Sequence, residues 1–336
     1  MSIKILHVTL NSGPSNMGYN EFYRYALANN QDVSVSFFEQ RKTNIYKKVF
    51  FFAKDFIPKA KDADLVHFHS HYVMFIALFF GMFFRLKSIK NSVYTVHTSY
   101  SNLSLRNKII FFINCFFSRK VVFCSKSSFS SFPSRLTSQA KYSYIRNGVN
   151  LNFYLRRNLQ TFDTRNGFCC LGRLIPLKAP IEIAQAFVDN GFDYSLTFIG
   201  AGALKVELEK IAIRSNNIHF TGLIPRNDVI KSLLSTKFYI SNSTVEGMPI
   251  AALEAIACGC YPVLSKIEPH CEILSEGIYG VLIEDGIFNA VSSAVSLDDS
   301  ELNYRINVNK NILKEKFSLE SMHSKYQAIY NKIIFS

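Results

Sequence analysis

Two carboxylates eight residues apart raise the first question of chemistry. Glu246 and Glu254 lie in the stretch STVEGMPIAALEAIACG, Ser243–Gly259. The segment reads as a strand exit, a turn and a short apolar helix. Charge in so apolar a setting calls for a partner. Pro249 fits the first turn of that helix, where a missing N–H costs nothing, and Gly259 fits its far end as a stop. Gly247 lets backbone and ligand approach closely. Free amides at a helix start favour an anion, phosphate above all. Helical side chains lean toward the N-terminus, so Glu254 can face the same side as the Glu246 loop. Seven helical residues span about 10 Å, which is close to the reach from one sugar across a diphosphate to another. Carboxylates accepting from hydroxyl pairs, with donors for a diphosphate between them, describe a nucleotide-sugar site. A simpler reading competes: Glu246 complements the helix dipole and Glu254 is a solvated helix residue.

The elements that must hold these residues follow from the pattern. IKILHVTL, DVSVSFFE, ADLVHFHS, SVYTVHT and KVVFCS read as short buried strands with helical segments between them. His67 and His69 end one of these strands and His97 ends another. The pattern restarts with GFCCLGRL, YSLTFIGAG, IHFTG and FYISNS, and the chain closes on the amphipathic stretch SLESMHSKYQAIYNKIIF. Alternating strands and helices imply parallel sheets covered on both faces. The reading is therefore α/β, with two doubly wound units in series. A domain over 1–150, a linker over 151–166, a second domain over 167–316 and a C-terminal helix over 317–336 are expected. Ligands of such sheets bind at the carboxyl ends of strands, and two facing units would put those ends across a cleft.

Composition narrows the partners. The 336 residues suit two domains of ordinary size. The net charge of +13 is unevenly placed: residues 1–150 carry 20 Lys and Arg against 6 Asp and Glu, and residues 151–336 carry 18 against 19. A basic half suggests an anionic partner. Lysines interleave with phenylalanines in KKVFFFAKDFIPKAK, FFRLKSIK and LRNKIIFFINCFFSRK, a composition suited to an anionic bilayer surface; helices packed on the sheet with lysines in water would look the same. The longest apolar run, Tyr72–Phe84, has 13 residues and is short of a membrane span. The start, MSIKILHVTL, does not read as a signal peptide. Seven cysteines show no zinc spacing and read as reduced thiols. Asp62 and Asp64 precede a strand instead of following one, so they read as a turn and not as a metal site; no metal and no cofactor are expected. NSGPSNMG lacks the spacing of a dehydrogenase loop, and no nucleic-acid motif is present.

With these motifs in order, the sequence resembles the retaining glycosyltransferases of family 4, of the bacterial surface-polysaccharide type. EGMPIAALEAIACGCYPV resembles the family's signature, LGRLIPLKAP its Gly-Arg…Lys-Gly segment, VTLNSGPSNMGYNEF its glycine-rich loop, and IRNGVN and FIGAG two further segments. The resemblance implies the GT-B fold, with the C-terminal helix returning to the N-terminal domain. It implies metal-independent transfer from a nucleotide-diphosphate sugar, UDP-sugar favoured over GDP-sugar, to a lipid-linked or oligosaccharide acceptor. Capsule, O-antigen or exopolysaccharide synthesis on the cytoplasmic face of the membrane is the implied setting.

By the resemblance Glu246 and His97 stand at the transferred sugar. Arg173 and Lys178, with the backbone of Gly247, Met248, Pro249 and Ile250, would hold the diphosphate. Glu254 would take the ribose, Gly13 and Gly18 would form a donor or acceptor loop, and the base would lie near Gly222–Arg226. Fixed cations are what a leaving diphosphate needs without a metal. Several positions depart from the pattern: Met17 precedes Gly18, Asn150 replaces an Asp, Ala179 follows Lys178 in place of Gly, and KIEPHCE brings Glu268 and His270 to a segment that is usually glycine-rich. A nucleotide-sugar epimerase and a basic nucleic-acid binder are the competing readings.

Overall fold

The computed structural model describes residues 3–10, 26, 32–38, 44–151, 154 and 165–336. The expected loop at Gly13 and Gly18, and most of the expected linker, lie outside the described residues. The chain forms two compact units, one of residues 1–148 with 319–336 and one of residues 149–318.

The first unit is built on strands β1 (Ile5–Thr9), β2 (Val33–Phe37), β3 (Leu65–Phe68), β4 (Val93–Val96), β5 (Lys120–Phe123) and β6 (Tyr142–Tyr144). They form one parallel sheet in the order β2-β1-β3-β4-β5-β6. The order reverses at β1 and β3, which is where open α/β sheets place their ligands. Helices α1 (Ile45–Asp62), α2 (His71–Phe83) and α3 (Leu105–Phe117) connect the strands, together with shorter helical turns.

Strand side chains alternate in direction, and here both directions are buried. Leu6, Val8, Val66 and Phe68 face a core shared with Phe52 and Phe56 of α1 and Val73 and Met74 of α2. Ile5, Leu65, Val93 and Val122 face the opposite side, against the last helix of the chain. Asp62 and Asp64 are both taken up by Lys4: its ammonium lies 2.9 Å from Asp62 and its amide donates to Asp64 at 2.9 Å.

The second unit carries β7 (Asn166–Leu171), β8 (Leu196–Ile199), β9 (Ile218–Gly222), β10 (Thr236–Ser241), β11 (Tyr261–Ser265) and β12 (Val281–Ile283). Its parallel order is β12-β11-β10-β7-β8-β9. Read from β9, this is the 3-2-1-4-5-6 order of a dinucleotide-binding sheet, with its switch point between β7 and β10. Helices α4 (Pro180–Asp189), α5 (Lys205–Ala212), α6 (Arg226–Ser235), α7 (Ile250–Ala257), α8 (Glu268–Ser275), α9 (Ile287–Val295) and α10 (Asp299–Lys316) surround it. The last helix, α11 (Leu319–Phe335), returns to the first unit, where Leu319, Met322, Tyr326 and Tyr330 cover the second face of that sheet. All seven cysteines are free thiols. Among the described residues no helix is long and apolar enough to cross a membrane.

Candidate active site

The chain leaves β7 at Leu171 and β10 at Ser241, the two strands of the second sheet's switch point. Both exits run into loops that carry the charged residues singled out above. After β7 come Arg173 and Lys178, and after β10 comes Glu246. The loops are tied together, since the Thr244 amide donates to Leu177 O at 3.0 Å. The Lys178 ammonium and the Glu246 carboxylate form an ion pair. Ser243 Oγ also donates to Glu246 Oε1, at 2.9 Å. Arg173, on the same loop as Lys178, is exposed.

The β7 loop is held by the turn after β8. Leu174 N donates to Ala201 O, and Leu204 N donates to Leu174 O, both at 3.0 Å. A Cβ on Gly202 would stand 2.1 Å from Leu174 O, so only glycine lets the two turns approach this closely. Ala179, just before α4, adopts φ 44° and ψ 49°. This is the left-handed region that a glycine would occupy without strain, so the departure at Ala179 is a strained backbone position.

The turn before α7 differs from expectation by one residue. Pro249 precedes the helix instead of lying within its first turn. With φ −79° and ψ 77° it centres an inverse γ-turn, in which Ile250 N donates to Met248 O at 2.9 Å. The Ile250 amide is therefore already engaged, which narrows the set of helix-start donors. Met248 and Pro249 are buried, and Gly247 and Ile250 are half-buried.

At its far end α7 closes in a Schellman motif: Cys260 N donates to Ala255 O and Gly259 N to Ile256 O, each at 2.9 Å, with Gly259 at φ 88°. Arg165 Nη1 caps it by donating to Gly259 O at 2.8 Å, placing a cation at the negative end of the helix.

Glu254 lies within α7 and its side chain is only 7% exposed. Arg226, the first residue of α6, meets it at 2.7 Å and also donates to the Tyr154 hydroxyl. Glu254 is therefore a buried, paired carboxylate and not a solvated helix residue. Arg226 had stood only at the edge of a segment expected to meet the base. Its pairing was not legible in the sequence, because 28 positions separate it from Glu254.

A second missed group is a polar chain behind Glu246. Ser265 Oγ donates to Ser243 O at 2.6 Å, and His270 Nδ1 lies 3.0 Å from both Ser265 O and Ser265 Oγ. A carbonyl can only accept, so Nδ1 carries the proton and Nε2 the lone pair. His270 is fully buried, and among the described residues its Nε2 has no hydrogen-bond partner. Burial pushes its pKa down to about 4, against the opposing pull of Glu246. Glu268, which marks the same departure from the family pattern, is exposed.

His97 lies in the first unit, one residue beyond β4. The residue is half-buried and both ring nitrogens are buried. Burial, then neighbouring His69, hold its pKa well below the usual histidine range, so the imidazole is neutral. It belongs to a histidine cluster: His69 lies 5.8 Å from His97 and 4.1 Å from His67, ring centre to ring centre. His7 Nδ1 and His69 Nε2 share a hydrogen bond at 2.9 Å. The ligand atoms of His7, His67 and His69 lie within 4.8 Å of one another, a spacing that could hold a metal ion. Both nitrogens of His67 are engaged at 2.6 Å, one by Tyr330 and the other by Thr95, so this ring would have to give up a partner to bind one.

Comparison with known proteins adds a family. Residues 154–311 match the model described as glycosyl transferases group 1. An uncharacterized glycosyltransferase of Methanocaldococcus jannaschii is 26% identical over 185 residues, covering 52% of this chain and 47% of that protein. UDP-Gal:alpha-D-GlcNAc-diphosphoundecaprenol alpha-1,3-galactosyltransferase of Escherichia coli is 28% identical over 211 residues, covering 56% of this chain and 54% of that protein. The match thus spans about half the length of each of these two relatives. Among solved structures, Anabaena HepE in complex with UDP-glucose superposes with a TM-score of 0.79 at 16% identity, over 98% of this chain and all of that one. Two doubly wound parallel sheets and the returning helix are the GT-B fold, and within it residues 154–311 match the glycosyl transferases of group 1.

Proposed function

We propose that this chain is a retaining, metal-independent hexosyltransferase that moves a sugar from a nucleotide-diphosphate sugar to a hydroxyl of a lipid-linked glycan, in the synthesis of a surface polysaccharide. The observation that carries the reading is the convergence of Lys178 and Glu246 at the switch point of the second sheet. Arg173 and Lys178 would neutralise the leaving diphosphate, with amides of Gly247 and Met248 beside them. Glu246 and His97 would stand at the transferred sugar, and Glu254, already oriented by Arg226, at the ribose. A carboxylate has about four acceptor sites, so one ion pair leaves Glu254 able to accept from ribose hydroxyls.

A UDP-sugar is favoured because the Escherichia coli relative is named for UDP-Gal and the Anabaena structure holds UDP-glucose. The acceptor is read as a polyprenyl-diphosphate glycan from the same relative's name. The basic, aromatic face of the first unit would rest on the anionic cytoplasmic leaflet.

A melting screen with UDP-, GDP- and ADP-sugars tests the reading. A donor at a hundredfold excess over its Kd adds about 2.7 kcal/mol to the native state, so a UDP-sugar should raise the transition by several degrees. No rise with any of the three would overturn the donor assignment. Isomerisation of the UDP-sugar without an acceptor would reassign the chain as an epimerase.

A further inference from the structure

Three helices of the first unit turn aromatic side chains to solvent. Phe50 of α1, Phe79 and Phe83 of α2 and Phe116 of α3 are between 64% and 79% exposed. The three helices meet around a cavity of about 480 Å³. Val49 lines it from α1, Ile76, Phe79 and Met82 from α2, and Ile113 and Phe117 from α3. No polar side chain is among its lining residues. A polar ligand would find no partner there and ordered water would find no anchor, while hydrocarbon would lose nothing by entering.

The segment that builds these helices is basic. Over residues 44–119 there are 11 Lys and Arg against 3 Asp. Lys47 and Lys48 directly precede Val49, and Lys54 follows on the same helix. An apolar groove on helices this basic complements a molecule with a hydrocarbon tail and an anionic head.

We infer that this groove takes the hydrocarbon chain of the lipid-linked acceptor itself, with the lipid phosphate on the neighbouring lysines. The inference rests on the reading that the acceptor is lipid-linked, and it adds where the chain goes. A methylene fills about the volume of a water, ~30 Å³, so the groove has room for roughly fifteen carbons. Affinity should then climb with chain length and level off near that number, at up to roughly fourfold per buried methylene.

The test uses prenyl monophosphates below their micelle-forming concentrations, with no sugar donor. Farnesyl phosphate should bind at least tenfold tighter than geranyl phosphate, and geranylgeranyl phosphate within about threefold of farnesyl. Filling the groove by Ile76→Trp or Ile113→Trp should cost at least tenfold for farnesyl phosphate, while flotation on phosphatidylglycerol vesicles persists. Affinity independent of chain length, or unchanged in the filled variants, would show a face that merely lies on the bilayer and would overturn the inference.

Should the filled variants fail to fold, a farnesyl phosphate with a diazirine on its tail can label the unaltered protein. Label confined to peptides of 45–62, 71–83 and 105–117 supports the groove, and label elsewhere contradicts it. Wild-type dimers that the filled variants cannot form would assign the groove to a second copy instead. Failure of the donor screen alone would overturn the donor assignment and leave chain binding intact; transfer without chain-length dependence would sink this inference alone.

Discussion

The two glutamates are both answered by cations, and a further polar contact holds Glu246 on one side and the cation of Glu254 on the other. Glu246 meets Lys178 and Ser243, and Glu254 meets Arg226, which in turn holds Tyr154. Their energetic settings follow from burial. The Arg226 and Glu254 side chains are 17% and 7% exposed, so removing one leaves the other's buried charge without its counter-ion, at a cost of about 3 kcal/mol. Urea unfolding of Glu254→Ala should show such a loss. The double variant with Arg226→Ala should lose clearly less than the two singles combined, with a coupling of at least about 1 kcal/mol. Strict additivity would mean that the pair contributes nothing in solution.

Elements were legible where a local rule decides them. The apolar run and Gly259 give α7 and its stop, and alternating short β-rich runs give both parallel sheets. What stayed hidden is set by three-dimensional neighbours. His67 bonds Tyr330 across 263 positions, and a chain of hydrogen bonds links His270 to Glu246 through Ser265 and Ser243. Ala179 shows the same limit: its identity marks a departure from the family pattern, and only the backbone reveals the left-handed conformation it must hold.

These buried histidines make the elements around them sensitive to acid. Burial holds His69 at about 3 and His270 at about 4, both below the unfolded value of 6.5. Between those values the unfolded chain binds more protons than the folded one. Stability is therefore fully present above about pH 6.5 and falls as pH drops toward the folded values, by up to about 1.4 kcal/mol per pH unit for each group. Urea midpoints between pH 7.5 and 5 should decline, and His69→Gln should flatten part of that decline. A flat wild-type profile would contradict the assignment of neutral, buried rings.

At the scale of the whole molecule the charge separates with the architecture. The near-neutral half holds the Lys178, Glu246, Arg226 and Glu254 set, and the half with a balance of +14 carries the exposed phenylalanines and the groove. A chain that takes a soluble donor on one unit and a lipid acceptor on the other would be built this way. The central claim is that Glu246 acts on the transferred sugar and not on the nucleotide. It is tested most directly by comparing Glu246→Gln with wild type for UDP binding and for turnover of the donor selected by the melting screen. The account predicts a Kd for UDP within about threefold of wild type and a kcat at least a hundredfold lower, in the range of lost transition-state contacts. UDP binding lost in parallel with turnover, or turnover retained, would contradict it.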